Sequence, residues 1–170
     1  MSFSTFLREK KLFFLGISVA LVAAILDLLS KGIIFRILEN IAVAQSTPNP
    51  EIQITGFFNL VYVWNRGVSF GMFHSLENSQ IIFCVIQALI LLVLLFWLYR
   101  NQKIHLVYAI ALIIGGALGN LFDRIKHGAV ADFLDFYVAS YHWPAFNLAD
   151  SFVFIGVAIL VFEDFIFKKR

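Results

Sequence analysis

Four long apolar runs constrain what this sequence can fold into: Leu12 to Ile34, Gln80 to Tyr99, Ile104 to Asn120, and Asn147 to Phe167. At about 1.5 Å of rise per helical residue, runs of this length match a hydrocarbon layer about 30 Å thick. With 61% apolar side chains, 14% charged ones and a mean hydropathy of +0.86, the 170 residues lie far outside the soluble globular range. The expected fold is an all-α membrane protein, one domain over residues 1–170 with four transmembrane helices near 12–34, 80–99, 104–120 and 147–167. The segments near 36–79 and 124–146 are expected to form a small β-rich cap at the outer membrane surface.

The first run is preceded by Arg8, Lys10 and Lys11 and followed by "AVAQ" at Ala42 to Gln45, which resembles a signal-peptide cleavage region. It is too long for a signal's apolar core, contains Asp27 and Lys31, and ends well before Ala44, so it reads as a retained span. Basic residues set the orientation. Arg8, Lys10, Lys11, Arg100, Lys103, Lys168, Lys169 and Arg170 fall on one side, whereas Arg36, Arg66, Arg124 and Lys126 on the other are interspersed with acids. Both termini are therefore expected in the cytoplasm, and the net charge of +2 records this asymmetry rather than nucleic-acid binding.

Two outer segments, Phe57 to Phe73 and Gly128 to Val138, are rich in β-branched and aromatic residues and punctuated by glycine, which predicts strands. Trp64 and Trp143 are expected to anchor this cap at headgroup level, with Trp97 and Tyr99 at the opposite interface. The linker "QSTPNPE", Gln45 to Glu51, reads as a loop. Gly115 and Gly119 in "GGALGN" form a small-xxx-small face suited to close helix approach.

Ionisable groups within a span cost about 2.5–3.5 kcal/mol at its centre, so they usually face a bundle interior and serve a function. Asp27, Ser30 and Lys31 share one face near the outer end of the first span; Asn120, Asp123 and Arg124 repeat that spacing in the third. Asn147 and Asp150 open the fourth, and Asp132 and Asp135 lie just before it. All converge on one leaflet. A bland reading exists for each: Asp27 and Lys31 as a snorkelling pair, Asp123 and Arg124 as a loop-edge ion pair, Asn147 and Asp150 as N-cap and N3. The four histidines are scattered and read as interfacial, and Cys84 is a lone cysteine, so no metal site or cofactor is expected.

With no phosphate loop and no Ser-His or Cys-His pair, carboxylates remain as the candidate chemistry. Two in proximity share a proton, so one can activate water while the other protonates a carbonyl oxygen. Asp150 is a natural member of such a pair, with Asp132, Asp135, Asp123 and Asp27 as candidate partners. If "AVADFLDF" is extended, Asp132 and Asp135 point to opposite faces, and only one can meet Asp150.

The motifs "ILDLLSK", "NRGVSFGMF", "GALGNLFDR", "VADF" and "PAFNLADS", in that order, resemble the bacterial lipoprotein signal peptidase (signal peptidase II) family over nearly the whole chain. The resemblance implies an intramembrane aspartic endopeptidase of the bacterial cytoplasmic membrane. It implies cleavage of diacylglyceryl-modified prolipoproteins on the amino side of the lipidated cysteine, by a monomer needing no cofactor, with membrane lipids around it. It selects Asp132 and Asp150 as the catalytic dyad, supported by Asp27, Lys31, Asn65, Asn120, Asp123, Arg124 and Asn147. Leu28 and Ser69 depart from the family's pattern. The rival expectation is a small proton-coupled carrier, although carriers favour repeat symmetry and midplane sites, and this chain has neither.

Overall fold

The computed structural model describes residues 10–67, 79–163 and 165. Helix α1 (Lys11–Gln45) is followed by strands β1 (Glu51–Thr55) and β2 (Phe58–Asn65) and by helices α2 (Ser79–Arg100) and α3 (Ile104–His127). Strands β3 (Val130–Val138) and β4 (Tyr141–His142) and helix α4 (Leu148–Val161) complete the chain. Three helices, α1, α2 and α3, are long and apolar enough to cross a membrane; α4, with 14 residues, is shorter.

Two helices outrun the hydropathy signal. Helix α1 continues past Ile34 to Gln45, because that stretch contains neither proline nor glycine and ends only where Ser46 turns left-handed at φ 51°. Phe35 and Leu38, on this extension, are buried. Helix α3 likewise runs beyond Asn120 to His127 and stops at Gly128, whose φ of 66° suits glycine. The cap is therefore shorter than expected from the sequence.

Helix α3 is the centre of the bundle and packs against α1, α2 and α4. Its close approaches explain "GGALGN". A Cβ on Gly115 would stand 2.6 Å from the Ala20 carbonyl oxygen of α1, and one on Gly116 would collide with the Ala149 carbonyl of α4. The apolar core follows this helix, with Val107, Ile110 and Ile114 meeting Ala20, Leu94 and Leu98.

The four strands form one antiparallel sheet in the order β1-β2-β3-β4. The strand-like segments predicted at Phe57 to Phe73 and Gly128 to Val138 contain β2 and β3, with Val68 to Phe73 outside the described residues. Strands β1 and β4 were not anticipated. Phe35 of α1 packs with Tyr62 and Trp64, so Trp64 joins the sheet to the helices, and Trp143 is the exposed member of the predicted anchors. Beyond β4, Phe146 exchanges backbone hydrogen bonds with Leu134 of β3, which brings Asn147 alongside Asp132.

Candidate active site

The polar residues of the helix ends form one connected network, organised around a buried ammonium. Lys31 Nζ lies 2.7 Å from Asp27 Oδ2, 2.9 Å from Asp123 Oδ2 and 2.9 Å from Asn120 Oδ1. Lys31 and Asp27 are 4% and 0% exposed, so this is no snorkelling pair. Both carboxylates also do structural work. Asp27 Oδ1 accepts the Ala149 N–H in the first turn of α4, at 2.9 Å, and Asp123 Oδ2 accepts the Ala131 N–H of β3, at 3.2 Å. One buried ion cluster therefore fixes α1, α3, α4 and β3 together, satisfying helix-end donors that the bundle hides from water.

Two asparagines connect that cluster to a pair of aspartates. Asn120 donates from Nδ2 to Asp150 Oδ1 at 2.8 Å, while its Oδ1 accepts from Lys31 and from Asn147 Nδ2 at 3.0 Å. Asn147 Nδ2 also donates to Asp132 Oδ1 at 2.7 Å. The Asn147 side-chain Oδ1 accepts the Asp150 N–H at 3.0 Å, and Asp150 Oδ2 accepts the Asn147 N–H at 3.3 Å, closing a capping box. The cap predicted from "FNLADS" exists, and it is also the device that orients Asp150.

From the sheet, Asn65 Nδ2 donates to Asp132 Oδ2 at 2.9 Å, and its Oδ1 accepts the Gly67 N–H at 3.0 Å. Asp132 is 2% exposed and Asp150 half-buried. Burial pushes the Asp132 carboxyl up to about 6; the Asn65 and Asn147 amides oppose the rise, and the nearby Asp150 carboxylate adds to it. Asp132 therefore holds its proton to a higher pH than an ordinary carboxyl, beside the half-buried Asp150.

The remaining expected residue, Arg124, faces away from Asp123. It donates from Nη1 to Gln87 Oε1 at 3.0 Å and to the Asn120 carbonyl at 3.3 Å. Gln87 in turn donates to the Ala117 carbonyl at 2.7 Å, tying α2 to α3. Sequence reasoning passed over Gln87, although an amide inside the apolar run "CVIQALI" is a signal of the kind used for Asp27. It also left His142 as an interfacial histidine. In the structure His142 Nδ1 lies 2.9 and 3.0 Å from the two carboxyl oxygens of Asp135, on the face of β3 opposite to Asp132.

Three apolar helices of membrane-crossing length thus carry, at one end, two aspartates linked through the amides of Asn120 and Asn147, an arrangement of a membrane protein. The chain belongs to the signal peptidase II family: the model of that family, described as Signal peptidase (SPase) II, matches residues 19–166. It is accordingly a protease, and the carrier reading falls away. A lipoprotein signal peptidase of Alteromonas mediterranea is 45% identical over 162 residues, covering 93% of this chain and 83% of that one. One from a Sulfurihydrogenibium species is 40% identical over 176 residues, covering 96% and 98%. The fold is similar to that of a bacterial membrane enzyme solved in meso at 2.3 Å, with a TM-score of 0.69, 28% identity, and 91% and 92% of the two chains covered.

Proposed function

We propose that the protein is an aspartic endopeptidase that removes signal peptides from diacylglyceryl-modified prolipoproteins, cleaving before the lipidated cysteine with Asp132 and Asp150 as its dyad. The observation that carries this reading is the bridge of Asn120 and Asn147 between a fully buried Asp132 and a more open Asp150. The relatives' name, lipoprotein signal peptidase, supplies the substrate class.

In the reactive form of the enzyme Asp132 acts as the proton donor and Asp150, placed at a helix N-terminus that favours negative charge, as the base. Water attacks the scissile carbonyl carbon as Asp150 takes one of its protons, and Asp132 gives its proton to the carbonyl oxygen. The resulting gem-diol collapses: the C–N bond breaks, Asp150 protonates the departing amine, and a diol proton returns to Asp132 as the C=O reforms. The products are a signal peptide with a new carboxyl end and a lipid-modified cysteine with a free amine. Asn65, Asn120 and Asn147 orient the dyad, and Asp27, Lys31 and Asp123 hold the elements that carry it.

In this reading α4 is the fourth span, and the sheet lies on the outer face of the bacterial cytoplasmic membrane with both termini inside. Contacts at the other end of the bundle support that direction. Lys10 stands 3.6 Å from the centre of the Tyr99 ring, and Lys103 pairs with Glu163 at 2.7 Å, so the positive-inside residues of α1, α2 and α3 share one end.

The test is to present the purified protein in micelles with a diacylglyceryl-modified prolipoprotein and with its unmodified precursor. Cleavage of the modified form alone, at the bond before the cysteine by mass, is expected. Equal cleavage of both forms, or a cut elsewhere, rules the substrate assignment out.

A further inference from the structure

A second polar feature lies behind the Lys31–Asp123 pair. Between the sheet-side ends of α1 and α3 a cavity of about 270 Å³ is lined by, among others, Gly32, Arg36, Glu39, Phe122, Lys126 and His127. Its inner wall is Lys31 and Asp123, which already neutralise each other. Its rim carries two cations, Arg36 and Lys126, against one carboxylate, Glu39. Among the described residues neither Arg36 nor Lys126 forms an ion pair, and the rim carboxylate Glu39 accepts a hydrogen bond from the Tyr62 hydroxyl at 3.0 Å. Lys126 Nζ stands 5.7 Å from the centre of the Phe122 ring, a contact that leaves its ammonium protons available.

The cavity also sits at a particular depth. Val22, Ile25, Leu29 and Ile33 recur every three or four residues along α1 and are all about half exposed, which makes them a lipid-facing stripe. Arg36 is the next position on that stripe, about 4.5 Å above Ile33. Phe122 and Ile125 of α3 are exposed beside it. A Cβ on Gly32 would meet nothing within 4 Å, so the cavity is open at this level.

We infer that this cavity binds the headgroup of an anionic phospholipid, with its phosphodiester held between Arg36 and Lys126 and its acyl chains along the α1 stripe. Cations at the end of an apolar stripe, neither within ion-pair distance of a carboxylate among the described residues, are placed where lipid phosphates lie. With Arg36 and Lys126 against the single carboxylate of Glu39 the rim is net positive, so a net negative lipid is favoured. The site is separate from the dyad and requires no phosphate on the peptidase's substrate.

The experiment is native mass spectrometry of the full chain released from micelles containing equal phosphatidylglycerol and phosphatidylcholine with matched acyl chains. Preferential retention of phosphatidylglycerol is expected, and inorganic phosphate in excess should not displace it. Loss of each cation should weaken the preference about fivefold, so R36A/K126A should lose about twenty-five-fold. Gly32→Leu, which fills the cavity and keeps both charges, should lose it as well. Equal retention of the two lipids, undiminished retention by both variants, or displacement by inorganic phosphate would each overturn the proposal. Because the readout is lipid retention, the outcome is independent of whether the dyad cleaves prolipoproteins.

Discussion

Strand β3 offers the same side chain to two different environments. Asp132 and Asp135 are nearly equally buried, at 2% and 4% exposure, yet they face opposite ways and meet different partners. Asp135 has an imidazole against both its oxygens, with Asn59 Nδ2 at 3.4 Å and the His142 ring stacked on Tyr137. Asp132 has two neutral amides as direct hydrogen-bond partners, and a second carboxylate nearby. Burial by itself therefore does not single out one aspartate. What distinguishes Asp132 is that its direct partners are neutral amides, which is the basis for proposing it as the proton donor.

Breaking the helix-facing side should have the largest consequences. Asp150→Asn removes the proton acceptor while keeping the shape of the capping box, and cleavage of a lipidated precursor should fall by about a thousandfold or more. Residual cleavage within tenfold of the parent would detach Asp150 from the chemistry. Next comes Lys31→Met, which leaves Asp27 and Asp123 buried without their ammonium. A loss of about 3–5 kcal/mol is expected, read as a large drop in Tm in micelles. An unchanged Tm would mean that the cluster is not what joins α1, α3, α4 and β3.

The difference between the two aspartates can also be read in pH. With its folded pKa raised from 3.8 to about 6, Asp132 binds its proton more tightly in the folded chain than in the unfolded one. Its contribution to stability is fully present below about pH 4 and is lost as pH rises through about 6. In kcat/KM, which reports the free enzyme, the loss of this proton should start a decline near pH 6, not two units lower. The apparent value belongs to the dyad as a pair. A profile with no inflection near 6 would remove the proton from Asp132. The smallest effect is expected on the far side of the strand: His142→Ala should change cleavage by less than about threefold, since its contacts are with Asp135 and Tyr137. A loss comparable to that of Asp150→Asn would mean that the two faces act as one site.

Much of this centre is legible in the sequence because a membrane span makes every polar residue conspicuous. Asp27, Lys31, Asn120, Asp123, Asn147 and Asp150 stand out against apolar neighbours, and helical spacing places each set on one face. Alternation along "AVADFLDF" also separates Asp132 from Asp135. Less legible is whatever lies beyond the apolar runs. The extensions of α1 and α3 are marked by an absence of breakers, which hydropathy does not register; β4, at two residues, is too short to carry a pattern, whereas the alternation of "EIQIT" in β1 is a strand signal that the reading of the cap passed over. Pairing across the chain is harder still. Nothing local indicates that Arg124 reaches Gln87 rather than Asp123, or that His142 meets Asp135, because both depend on how helices and strands pack. The orientation-setting Arg8 and Lys168 to Arg170, and the motif departure Ser69, lie outside the described residues.

The most direct measurement compares the two aspartates of β3 in one assay. Asp132→Asn and Asp135→Asn are purified alongside the parent, checked for equal Tm, and given the same diacylglyceryl-modified prolipoprotein in micelles. Cleavage abolished in Asp132→Asn and retained within about threefold in Asp135→Asn is the predicted result. Retained cleavage in Asp132→Asn, or equal loss in both, would contradict the assignment of the dyad.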